Sequence, residues 1–220
     1  MEFEKVSFSY PCSHKPAVEN ISLAIQQGKR YALIGRNGCG KTTLLRLANG
    51  LYRPQKGVIR WRGKQLDYTG PCLRQWRQNV GLVFQNPEQQ LVATTVVEDL
   101  SYGLCNLGLP PTEVARRVEE ALDTFQLREI AHQPVNYLSL GEKKRLALAD
   151  VMILKPKLLL LDEPMAYLDY VQRAELKTQL YKIHREGTTI VVATHDLDFA
   201  YGWADEIIML DKGRLVSVSF

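Results

Sequence analysis

The chain has 220 residues, 45% hydrophobic and 24% charged, the balance of an ordinary globular protein with enough length for a substantial core. Its net charge of +4 is too small to point by itself to nucleic acid or an anionic membrane surface. No apolar run approaches the ~20 residues needed to cross a bilayer, and no C-x-x-C pair links the four cysteines (12, 39, 72 and 105), so a membrane span, a disulfide framework and a cysteine metal site are all disfavoured.

Residues 2–10 alternate (Phe3, Val6, Phe8, Tyr10) and read as a strand, with no apolar stretch before them to suggest a signal peptide. Tyr10, at its end, is either a stacking platform for a base or an ordinary strand-end tyrosine. Residues 11–16 read as a loop, and Ile21, Leu23 and Ile25 as a second alternating strand closed by Gln27 and Gly28. Tyr31 to Ile34 form a short buried strand. The glycine-rich loop Gly35 to Gly40 follows, then Lys41, Thr42, Thr43 and a helical pattern (Leu44, Leu45, Leu47, Ala48) that stops near Asn49 and Gly50.

That order of strand, Gly-x-x-x-x-Gly-Lys-Thr and helix is the setting of a phosphate-binding P-loop. Gly35, Gly38 and Gly40 let the backbone come close to a phosphate, and consecutive N–H groups and the helix N-terminus add positive potential. Lys41 is placed to reach the β- and γ-phosphates of a nucleotide, and the Thr42 hydroxyl to ligate Mg²⁺. Asn37, Cys39 and Thr43 complete the candidate contacts of this loop. The Cys39 thiol either makes the site sensitive to alkylation or is simply a small residue that fits.

Residues 57–61 read as another strand, so three short half-buried strands flank the P-loop unit and suggest a small antiparallel sheet beside a parallel one. Residues 80–84 form a buried strand with Gln85 at its C-terminal end, the end at which ligands bind in open α/β sheets. The segments 95–107, 112–126 and 141–154 are helical in period with no strand between them, a helical insertion into the α/β core. Ser139 and Glu142 have the spacing of a capping box at the start of the third helix. Ser139 with the bare Gly141 equally suits a second anion site at that helix N-terminus.

Leu158 to Leu161 make a strand covered on both faces, followed by two carboxylates. Asp162 suits Mg²⁺, directly or through water, and Glu163 suits a general base for an attacking water. An amphipathic helix over 170–186 leads to a buried strand, 189–193, and His195 again follows a strand's C-terminal end. A short helix and two strands, 206–210 and 214–218, close the chain.

Taken together these residues resemble the ATPase subunits of ABC transporters over the whole chain. Walker A is Gly35 to Thr42, the Q-loop glutamine is Gln85, and the signature is Leu138 to Glu142. Walker B with its glutamate is Leu158 to Glu163, the D-loop is Ala166 to Asp169, and the switch histidine is His195. The stretch Phe84 to Leu100 is similar to energy-coupling factor ATPases, near the cobalt/nickel group, which drive uptake of cobalt, nickel or vitamins in prokaryotes. The resemblance implies a P-loop NTPase (RecA-like) core with an N-terminal antiparallel β subdomain and an inserted α-helical subdomain. Within a single domain, 1–30 and 57–69 would form the β part, 31–56, 70–85 and 156–220 the core, and 86–155 the insertion.

It implies further that ATP is held with Mg²⁺ between two ATPase subunits, identical or paralogous. Ser139 and Gly141 would act in trans, Gln85 and Asp162 would complete the metal shell, and Tyr10 would stack on adenine. Glu163, His195, Gln85 and Lys41 would be the catalytic set. The expected partners are an integral membrane coupling subunit and a substrate-binding membrane subunit, not nucleic acid, and the expected place is the cytoplasmic face of the membrane, peripherally bound. Three departures from the family pattern stand out. Leu140 and Glu142 replace the usual glycine and glutamine of the signature, which predicts reduced turnover. Tyr170 stands where proline is more usual. The chain stops at Phe220, short of a segment that strengthens the dimer in many relatives, which predicts a monomer without ATP. The competing readings are a soluble non-transport ATPase, a small-molecule kinase and a nucleotide-gated subunit with little hydrolysis.

Overall fold

In the computed structural model, which describes residues 1–219 except 12 and 14, the four leucines 158–161 are each at most 1% exposed. Cys12 and Phe220 therefore lie outside the described residues. The leucines form β7 (Leu158–Asp162), and their side chains alternate, Leu158 and Leu160 in one core and Leu159 and Leu161 in another. β8 (Thr189–Thr194) divides in the same way, Val191 and Ala193 against Ile190 and Val192. Two cores on opposite faces explain why both strands read as unbroken apolar runs.

Both belong to a six-stranded mixed sheet ordered β10 (Arg214–Ser219), β9 (Glu206–Asp211), β3 (Arg30–Ile34), β8, β7, β6 (Val80–Val83). The five strands from β9 to β6 are parallel and β10 pairs antiparallel with β9. Beside this sheet, β1 (Glu2–Phe8), β2 (Val18–Ala24), β4 (Lys56–Trp61) and the two-residue β5 (Lys64–Gln65) form an antiparallel sheet ordered β2-β1-β4-β5. β1 ends at Phe8, so Tyr10 lies beyond the strand and not at its last pleat.

Between β6 and β7 the chain is helical: α3 (Val96–Asn106), α4 (Pro111–Thr124) and α5 (Leu140–Met152) pack into the core that holds Leu159 and Leu161. The fold is thus the expected α/β architecture with an antiparallel β part and a helical part. α1 (Lys41–Ala48), α6 (Tyr170–Arg185) and α7 (Leu197–Trp203) fall where their patterns predict. α2 (Gly70–Asn79) is unanticipated. It buries Trp76 alone, and that indole N–H donates to the Ala48 carbonyl at the end of α1 (2.8 Å), so almost no apolar periodicity marks it.

Two acids join α3 to α5. Asp99 is 5% exposed and its Oδ1 accepts the N–H groups of Val92 (2.8 Å) and Ala93 (2.7 Å). Burial, then a hydrogen bond to Asp99, raises the Asp150 carboxyl well above its ordinary range, and its Oδ1 has no partner. An acid whose folded pKa is raised contributes stability that is full below its unfolded value and lost as pH climbs through the folded one. Asp150→Asn, which keeps an N–H donor toward Asp99, should therefore be near neutral at pH 4 and stabilise the chain by about 1 kcal/mol at pH 8. Thermal melts of both proteins across that range are the check, and an equal difference at both ends would refute it.

Candidate active site

Because β3, β6, β7 and β8 are parallel, their C-terminal ends open on one edge of the sheet, where residues after each strand can meet. At the end of β3 the chain turns through Gly35–Gly40 into α1. Two of these glycines answer to their own surroundings. A Cβ on Gly35 would lie 2.3 Å from the Leu210 carbonyl oxygen, and one on Gly40 would lie 2.4 Å from that of Ala17. Gly38 faces open space at φ +78°, a conformation for which side chains are poorly suited. The loop is tied to the turn between β9 and β10, which is itself held on both sides: the Gly213 N–H donates to the Cys39 carbonyl (2.9 Å), and the Gly213 carbonyl accepts from the Glu19 N–H of β2 (2.7 Å).

A cavity of about 1040 Å³ opens above the loop, lined by Asn37, Gly38, Gly40, Lys41, Thr42 and Thr43. The C-terminal ends of β6, β7 and β8 bring Gln85, Asp162, Glu163 and His195 to it, and Tyr10 closes one side. The Lys41 ammonium donates to its own loop at the Gly35 carbonyl (2.7 Å) and stands 3.7 Å from Glu163 Oε1. The other Glu163 oxygen, Oε2, is 3.0 Å from His195 Nδ1. One nearly buried carboxylate therefore lies between an amine and an imidazole. Glu163 holds φ +45°, an uncommon conformation for a residue with a side chain and one that clusters at functional sites.

Burial raises the Asp162 carboxyl above its ordinary range; the Thr42 hydroxyl opposes this, the Glu163 charge adds to it, and Arg46 and Lys41 pull the other way. Asp162 Oδ1 is buried with no partner. Tyr10 is 38% exposed; its hydroxyl is 3.0 Å from Thr43 Oγ1, and its ring stands edge-on to Phe8 (5.3 Å, 84°) and Tyr52 (5.7 Å, 88°). The ring is fixed by three neighbours, one of them in the first turn of α1, just after the phosphate loop.

Gly35 and Cys39 do not line the cavity. Cys39 is 3% exposed and burial pushes its thiol up, which favours the fitting-residue reading over a reactive one. Ser139 and Gly141 are not brought to the cavity either; they border a separate hollow of about 650 Å³ between α5 and α6. Ser139 forms the capping box: its hydroxyl and N–H both donate to Glu142 Oε2 (2.6 and 2.7 Å), and the Glu142 N–H donates to Ser139 Oγ (3.3 Å). These bonds lower the pKa of Glu142, so its charge is turned back onto its own helix. The cavity also holds charged residues that the sequence did not mark as site residues, Lys15, Arg173 and Asp196. Lys15 lies in an irregular loop and Arg173 on a helix face that reads as solvated, so neither has a local signal.

Among the described residues no group of three or more His, Cys, Asp or Glu side chains could hold a metal by itself. The model of the ABC transporter family matches residues 18–166. The chain is 58% identical to an ABC transporter ATP-binding protein of Nostoc sp., over 98% of this chain and 79% of that one. It is 42% identical to the energy-coupling factor transporter ATP-binding protein EcfA of Carboxydothermus hydrogenoformans, over 99% and 79%. It is 39% identical to the cobalt import ATP-binding protein CbiO of Salmonella typhimurium, over 93% and 75%. Among solved structures, CbiO1 of Clostridium perfringens, described as part of the ABC transporter complex CbiONQ, superposes with a TM-score of 0.89 at 35% identity, over 99% of this chain and 87% of that one.

Proposed function

The chain belongs to the ABC transporter family, and on that premise we propose that it is the ATP-hydrolysing motor of an energy-coupling factor transporter that imports a transition-metal ion, cobalt or nickel. The observation that carries this reading is the division of the site. Lys41, Asp162, Glu163 and His195 share one cavity while Ser139 and Gly141 face elsewhere. A chain built this way leaves its own nucleotide half covered and offers the missing half to another copy or a paralogue.

Mg²⁺ fits the cavity, because the buried Asp162 Oδ1 lacks a partner and the Thr42 hydroxyl and Gln85 amide oxygen supply further hard donors. Bound there, it would neutralise charge on the phosphates. Lys41 exchanges the Gly35 carbonyl for phosphate oxygens. Glu163 orients a water and takes its proton, held in place by Lys41 on one oxygen and His195 on the other. His195, mostly exposed beside Glu163, is placed to meet the γ-phosphate. Tyr10 stacks on the adenine. Closure of two subunits around ATP and their reopening after hydrolysis shift the population of two states, and the helical part passes that change to a membrane subunit. No helix among the described residues is long and apolar enough to cross a membrane, which suits a peripheral subunit on the cytoplasmic face.

The test is uptake of ⁵⁷Co²⁺ or ⁶³Ni²⁺ by cells carrying the transporter with this chain or without it. ATP-dependent accumulation that needs the chain is expected for one of the two ions. Uptake of a vitamin in place of both would move the cargo while keeping the motor. A second reading, a nucleotide-gated subunit with weak hydrolysis, draws on the Ser139 hydroxyl being held by Glu142. Freeing it should raise turnover: Leu140→Gly with Glu142→Gln is expected to increase kcat by about threefold to tenfold. Unchanged kcat in that double variant would refute the claim that this signature slows the motor.

A further inference from the structure

Lys144 stands three residues beyond Gly141 on α5 and is 8% exposed. Its ammonium group donates to the carbonyl oxygens of Pro164 (2.9 Å) and Ala166 (2.6 Å). The hydrolysis steps above make no use of this cation. Burying it is unfavourable unless it is partnered, and desolvation draws its pKa down to about 8, with the Glu163 carboxylate opposing and Arg173 adding to the shift.

Both carbonyls belong to the turn that follows Glu163. Glu163 (φ +45°) and Tyr167 (φ +62°) bracket that turn in left-handed conformations, which persist only where the surroundings hold them. Lys144 supplies two charge-assisted hydrogen bonds in its middle. Met165, Ala166 and Tyr167 line the nucleotide cavity on the other side. One helix therefore carries Ser139 and Gly141 at its start and, a turn later, the amine that grips the backbone behind Glu163.

We propose that Lys144 is a positioning residue that fastens the signature end of α5 to the turn after Glu163, so that the face offered to a partner subunit and the general base of the chain's own cavity move as one body. This rests on the reading that each nucleotide is shared between two subunits. It gives the motor a link within one chain between its two half-sites.

The test compares Lys144→Met, which keeps length and removes the donors, with Lys144→Arg, which keeps them. ATP turnover is measured on the full chain assembled with its membrane partners, and nucleotide binding on the full chain alone. In Lys144→Met, kcat is expected to fall about tenfold or more while KM and nucleotide binding stay within about threefold, and Lys144→Arg should recover most of kcat. Wild-type kcat in Lys144→Met overturns the proposal. So does joint loss of kcat and binding that Lys144→Arg leaves unrepaired, which would mark a folding role. Glu163→Gln run alongside separates the two claims. If it hydrolyses ATP normally, the proposed function itself fails. If it is inactive while Lys144→Met runs at full rate, only the Lys144 proposal fails.

Discussion

Glu163→Gln should lower ATP turnover by roughly 10²–10⁴-fold, the range attributable to a lost general base, and leave nucleotide binding close to wild type. The substitution keeps the volume and one oxygen, so the cavity wall stays in place. What disappears is the charge between Lys41 (3.7 Å) and His195 (3.0 Å) and with it the ability to take a proton from water. Because binding survives and hydrolysis does not, ATP-bound pairs of subunits should accumulate. Light scattering with Mg-ATP should then show a doubled mass for the variant that persists for the whole incubation. Turnover above a tenth of wild type would remove Glu163 from the reaction.

Asp162→Asn should move two measurements in opposite directions. Turnover should fall about 10²-fold, because losing about 3 kcal/mol of transition-state stabilisation has that effect, and the rate should need more Mg²⁺ to saturate. The nucleotide-free chain should melt at a higher temperature. Asp162 Oδ1 is a buried carboxylate oxygen with no partner, and a neutral amide relieves the desolvation of that charge, a gain on the order of 1 kcal/mol. A residue kept for packing would give the reverse pattern, a lower melting temperature with activity retained. Calorimetry and a Mg²⁺ titration of the rate decide between them.

The strands that build the cavity were legible because each is buried on both faces, and β7 shows why: two cores leave no room for a polar residue in 158–161. The phosphate loop and the acids after β7 were legible because short-range chemistry demands those residue types at that spacing. α2 was not, since a helix anchored by Trp76 alone leaves no periodic trace. The glycines were found for an incomplete reason: Gly35 and Gly40 are required by the carbonyls of Leu210 and Ala17, neither of which is a sequence neighbour. The choice between cap and anion site at Ser139 also stayed open in the sequence, because spacing cannot say which way Glu142 turns. Lys144 sits among Lys143 and Arg145 in a run that reads as solvated, and only the fold shows it reaching across to Pro164 and Ala166.

The tether from Gly213 to both Cys39 and Glu19 has a thermodynamic consequence. A loop already shaped by the far end of the chain loses little conformational freedom when its guest arrives, so most of the attraction is expressed as affinity. The hairpin at 211–213 thereby becomes a remote dial on the dissociation constant, and loosening it would weaken the grip on ATP without altering a single atom that touches the triphosphate.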